Sequence, residues 1–213
     1  MLKRTFKNIP KPAWVVGDEV YCCHSLRIWL ENQLQSYALA TACNSSITIG
    51  LEQYQAKDFL QKIDASKWKF ISAGDGSKGQ RYYKWSRQKI NSDSPDGWNR
   101  WLVIRKNIKD ENDVAYYIVF TSDKIQLESI VMAIGSRWTI EECFEMAKGE
   151  VGLDQYEVRS WTGWYRHITI SMFALSFLTK LRHKLNQKEL EEHKKKSLTK
   201  NRMKSFLKSR GLL

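Results

Sequence analysis

The chain has 213 residues, 42% hydrophobic and 27% charged, with a net charge of +12. That length and balance suit one sizeable globular domain, or one domain with an inserted subdomain, and exclude a disordered or fibrous chain. The most apolar run, Ile168 to Thr179, is too short to span a bilayer, and the basic N-terminus lacks the apolar core of a signal peptide, so a cytoplasmic protein is expected.

In chain order, "AWVVGDEVY" (Ala13 to Tyr21) is a short apolar run ending in Gly17-Asp18-Glu19, the pattern of a buried strand that delivers acids at its C-terminal end. In "SLRIWLENQLQ" (Ser25 to Gln35) the apolar positions 26, 29, 30 and 34 have a helical period, with Ser25 as N-cap. "YALATA" (Tyr37 to Ala42) reads as a second strand, so the three form a right-handed strand-helix-strand crossover of an α/β sheet. From Trp68 to Phe120 the runs "KWKFISA", "QRYYKW", "RWLVIR" and "AYYIVF" are strand-like, separated by the turns "GDGSKG" and "NSDSPDGW". This β-rich stretch reads as an insertion. Helices are expected over about 123–134, 139–149 and 161–186, and a basic tail helix over about 197–209.

Four organisational segments follow: residues 1–55 as a strand-helix-strand core, 56–122 as a β-rich insertion subdomain, 123–186 as a helical return, and 187–213 as a basic tail. Between Lys180 and Arg210 there are twelve Lys/Arg against three Glu, so most of the net charge lies in this C-terminal stretch. It is either a contact for phosphate backbone, with salt-sensitive affinity, or a solvated helix end. Cys22, Cys23, Cys43 and Cys143 form no CxxC pair, and the "CCH" corner at 22–24 has no matching half elsewhere. Reduced thiols are expected.

The stretch "RWTIEECFEMAK" (Arg137 to Lys148) carries the chemistry. Thr139 and Glu142 have capping-box spacing, which predicts a helix from residue 140, and Glu141, Glu145 and Lys148 share one face of it. A capped surface helix with acids at its N-terminus accounts for this pattern. The other reading is a carboxylate that holds a metal. An Asp at a strand end and a Glu on a later helix is how a two-metal phosphoryl-transfer site is assembled. Mg²⁺ suits such a site, because it takes few carboxylates and leaves room for phosphate oxygens. Arg137 and Lys148 flank the acid, as cations must where a phosphate approaches carboxylates. A basic chain with nine Trp and nine Tyr suits backbone binding and base stacking.

The order Arg137-x3-Glu141-x6-Lys148 resembles the Tyr-x2-Arg-x3-Glu-x6-Lys signature of DDE transposases of bacterial insertion sequences. "VVGDEVY" is similar to the strand that carries their second catalytic Asp. "SKGQRYYKW", "GWNRWLVIR", "AYYIVF" and "GEVGLDQYEVRSWTGWYRHI" also resemble stretches of one such group, so the likeness runs from about residue 13 to 185. The resemblance implies an α/β fold with a ribonuclease H-like core, a mainly β insertion and a helical C-terminus. It implies metal-dependent strand transfer on DNA with Mg²⁺, or Mn²⁺, held by Asp18 and Glu141 as the second and third acids. Arg137 and Lys148 would contact DNA phosphates. Lys78 and Arg81, in a glycine-flanked turn, are candidate backbone contacts, and Trp85, Trp98 and Trp101 are candidates for stacking on a splayed base.

This sequence departs from the family at three places. The signature tyrosine falls at Ile134, Cys22-Cys23 stands where a glycine is expected, and residues 1–17 contain no Asp or Glu to serve as first acid. The expectation is a C-terminal part of a transposase with early core strands missing, inactive in cleavage on its own. It is expected to expose a sheet edge and apolar helix faces to a partner, either a second transposase chain or the missing half. Its alternatives are a non-catalytic DNA-binding or transposase-pairing inhibitor, and the product of a decayed gene.

Overall fold

The computed structural model describes residues 2–76, 79–157 and 159–209, with side chains as far as residue 192. It divides into two units, residues 1–140 and 141–213.

The first unit opens with helix α1 (Leu2–Asn8) and strand β1 (Val15–Gly17), then helix α2 (His24–Asn32) and strand β2 (Tyr37–Thr41). β1 and β2 pair in parallel, Val15 opposite Tyr37 and Gly17 opposite Leu39, so the expected strand-helix-strand unit is present. The N-cap of α2 is Cys23, not Ser25, and the helix starts before the hydroxyl that was expected to begin it. A small hairpin follows, β3 (Ser46–Ile49) with β4 (Glu52–Gln55), and the short helix α3 (Ala56–Phe59). Then come β5 (Lys69–Gly76), β6 (Gly79–Ile90), β7 (Trp98–Lys106) and β8 (Val114–Ser122), at the four strand-like runs of the sequence.

These four strands and the first two make one mixed sheet in the order β1-β2-β8-β7-β6-β5. The link is β2 against β8, antiparallel, with Tyr37 opposite Phe120 and Thr41 opposite Tyr116. The β-rich middle of the chain therefore continues the sheet that the crossover unit begins. Between Ser72 and Asp75 the β5–β6 register shifts, and Gly74 there has φ +86°, a conformation that costs any residue with a Cβ.

Strand period two sorts the side chains to two faces. Tyr37, Leu39, Leu102, Ile104, Ile118 and Phe120 meet Leu30 of α2 and Phe59 of α3 on one face. On the other, Ala38, Trp85, Val103 and Val119 meet helix α4 (Leu127–Gly135) through Leu127, Ile130, Val131 and Ile134.

At the α2 face a polar group is buried inside the apolar packing. Arg100 of β7 donates through Nε to Glu31 Oε1 at 3.0 Å and through Nη2 to Oε2 at 2.7 Å, and the Tyr37 hydroxyl donates to Oε1 at 2.6 Å. Burial, and then the Glu31 carboxylate beside it, push the Tyr37 phenol far above its ordinary range. An unfolded chain releases that proton from about pH 10, whereas the folded chain keeps it. The stabilising contribution is therefore complete below that pH and is lost as pH rises above it. Burial pushes Tyr116 and Tyr117 in the same direction. Denaturant midpoints measured across alkaline pH should fall, and Tyr37→Phe should flatten part of the fall. An unchanged slope in that variant would refute the assignment.

The chain leaves α4 through Ser136 and Arg137 in one tight turn and enters helix α5 (Trp138–Val151), which continues into the second unit. The capping box does not form. The Thr139 hydroxyl donates backwards to the Ser136 carbonyl, and the helix begins before the predicted cap. In the second unit the helix α6 (Trp161–Ser209) is continuous for 49 residues, where two helices were expected. No glycine or proline lies between Gly163 and Gly211 to interrupt it. Its first part packs on its own unit: His167 Nε2 lies 3.1 Å from the Gly152 carbonyl, and Ser171 and Leu175 are buried. Ile170, Phe173 and Phe177 are exposed. Among the described residues no helix is long and apolar enough to cross a membrane. All four cysteines are free.

Candidate functional site

Asp18 stands immediately after β1, where the sequence pattern placed it. The strand ends because the chain passes into a single 3-10 turn, Glu19–Tyr21, closed by the Tyr21 amide donating to the Asp18 carbonyl at 3.0 Å. The Asp18 side chain takes no part in capping that turn. Its carboxylate instead accepts from Arg137: Nη1 donates to Oδ2 at 3.0 Å. Arg137 is fixed from the other direction by the turn after α4, where its amide donates to the Ile134 carbonyl at 3.3 Å. Two residues 119 positions apart thus meet at the end of β1, and both remain partly open to solvent.

Glu141 lies in the first turn of α5, and Lys148 lies two turns further along the same face, exposed. Ile134, at the position of the signature tyrosine, is 8% exposed and packs in the α4 core, so no hydroxyl is offered there.

The remaining candidates have other employment. Arg81 donates through Nη2 to the carbonyls of Ala73 at 2.9 Å and Gly135 at 3.0 Å, and through Nε to Asp75 at 3.2 Å. It ties β5 to the end of α4 and stacks over the Trp138 ring at 5.3 Å, so its hydrogen-bonding capacity is largely committed. Trp85 is fully buried between Tyr83 and Tyr117, which corrects the expectation that it stacks on a base. Trp98 is half-buried and stacked on Phe120 at 5.0 Å, and Trp101 is half-buried under the Arg87 guanidinium at 4.6 Å. Both are anchored in the sheet with only part of the ring reachable. Lys78 lies outside the described residues.

A divalent ion at this place would need more than Asp18. Among the described residues no group of three or more His, Cys, Asp and Glu is gathered as a metal site, and the Asp18 carboxylate pairs with Arg137. Among the described residues the carboxylates needed for a two-metal site are not gathered. What the pair can do is present a cation at a strand end, beside an acid that holds it in place.

Sequence reasoning missed the buried Glu31–Arg100–Tyr37 group, whose members lie as far as 69 positions apart and carry no shared motif. No protein-family model matches the chain, and no curated protein is significantly similar to it.

Proposed function

We propose that this chain is a DNA-handling part of a DDE-type transposase with a ribonuclease H-like core, in which Asp18 and Glu141 are the second and third acids and Arg137 and Lys148 attend the phosphate. The observation that supports this reading is the 3.0 Å contact between Asp18 and Arg137. These two were singled out by separate motifs, and a shared site is what the transposase signature requires of them. The parallel β1–α2–β2 crossover with an acid at the strand end agrees with it. Mg²⁺ or Mn²⁺ is the ion that such carboxylates would take. Two acids are too few for in-line displacement, so a third carboxylate must come from another segment or a second transposase chain. In this reading the chain alone binds DNA and does not cut it.

Binding of linear duplex DNA at a series of salt concentrations tests the proposal. The affinity should fall steeply with salt, with a slope of about −0.9 for each phosphate neutralised. Arg137→Ala should weaken binding several-fold at a stability cost of about 1 kcal/mol or less, as for other half-exposed pairs. No binding at low salt would defeat the DNA reading. Cleavage in Mg²⁺ or Mn²⁺ that Glu141→Ala abolishes would show that the site is complete without a further acid.

A further inference from the structure

Behind the Asp18–Arg137 pair, within the first unit, lies a small cavity of about 60 Å³ between the sheet and the end of α4. Its lining includes three guanidiniums, Arg81, Arg105 and Arg137, two indoles, Trp85 and Trp138, and the ring of Tyr117. Among the described residues no carboxylate lines it. Strand pairing explains the convergence: Trp85 of β6 sits opposite Arg105 of β7, so the two side chains share one face.

The cavity is unusual in its hydrogen bonding. Trp85 Nε1, Trp138 Nε1 and Arg105 Nε are all buried, and none meets an acceptor among the described residues. Trp85 is fully buried, and half-buried Arg137 and Trp138 line the same cavity. Orphaned donors of this kind are rare in folded proteins, and three around one cavity call for a common acceptor. The nearby carbonyls of Ala73 and Gly135 each accept from Arg81 and keep a second lone pair. Burial pushes the Tyr117 phenol above its ordinary range, and its hydroxyl can donate or accept. One water molecule accepts at most two hydrogen bonds, fewer than these three donors, whereas an oxyanion accepts from every side. The volume exceeds the ~30 Å³ share of one water in the liquid, enough for a small anion. Charge agrees: Arg137 and Arg105 are each neutralised at their outer ends by Asp18 and Asp113, whereas Arg81 has only neutral carbonyl partners among its hydrogen bonds.

We propose that this cavity is a binding site for a small oxyanion of the phosphate class, held by the indole N–H groups of Trp85 and Trp138 and the Nε–H of Arg105. The assignment does not depend on the transposase reading. The ligand is either a free oxyanion or a phosphate of a nucleic-acid backbone that enters beside Arg137.

Amide and indole NMR spectra of the full chain, titrated with inorganic phosphate against chloride at constant ionic strength, decide it. Of nine indole signals, the two assigned through Trp85→Phe and Trp138→Phe should shift in a saturable manner. Arg105→Lys keeps the charge but removes the Nε donor, and should weaken binding about tenfold. If that variant does not fold, Trp138→Phe, at a half-buried position, serves as the second test with the same expected direction. A short DNA duplex that shifts the same two signals identifies the source as a backbone phosphate, and one that leaves them unmoved while phosphate shifts them identifies a free oxyanion. The proposal is overturned if neither phosphate nor duplex moves them, or if Arg105→Lys and Trp138→Phe bind as the parent does.

Discussion

Gly135→Ala should lower the stability of the first unit by about 3 kcal/mol or more, read as a shift in the urea midpoint. A Cβ built on Gly135 would lie 2.8 Å from the Ala73 carbonyl carbon and nearer still to its oxygen, so α4 would have to move off β5. The obstacle is backbone, which has no rotamer to yield. The displacement would also pull apart the two carbonyls that Arg81 holds, Ala73 at 2.9 Å and Gly135 at 3.0 Å. Gly149→Ala makes the control. It lies inside helix α5 with open space around its Cβ position, and should be neutral or stabilising by about 0.5–1 kcal/mol. Equal effects at the two positions would mean that close approach is not what requires glycine at 135.

Arg100→Ala should be at least as costly, about 3–5 kcal/mol, because it strands the Glu31 carboxylate in a site where that side chain is only 12% exposed. The Tyr37 hydroxyl alone would remain to it. The damage comes from the uncompensated charge and not from the loss of attraction, so removing both partners should be far milder. A double-mutant cycle with Glu31→Leu and Arg100→Met checks this, and a double variant as unstable as Arg100→Ala would refute it.

Much of the first unit was legible because its strands are strongly patterned. "YALATA", "RWLVIR" and "AYYIVF" each carry the alternation or apolar density that a half-buried strand needs, and Asp18 follows directly from the run before it. Partnership was not legible. Nothing local in Tyr37–Thr41 says that it pairs with residues 116–120, and so the middle strands read as a separate insertion when they continue the same sheet. The hairpin Ser46–Gln55 escaped because its two strands are four residues each and mostly polar. At the site, the spacing of Arg137 and Glu141 pointed to the turn after α4, where Arg137 meets Asp18. Arg81 shows the limit: a basic residue among glycines suggests a phosphate contact, yet three backbone carbonyls claim it once β5 and α4 are in place. Trp85 shows the same limit, since an indole is equally suited to a core or to a base, and only the fold chooses.

The brevity of β1 has a dynamic consequence. Three residues at the edge of a six-stranded sheet, registered to β2 alone, carry Asp18. Opening of that strand requires few ladder bonds to break, whereas β7 and β8 share nine registered pairs at the centre. Amide exchange in Val15–Gly17 is therefore governed by sub-global fluctuations and that of β7 by complete unfolding. The acid can be repositioned by a ligand at a small fraction of the global folding free energy, while the walls behind it stay fixed.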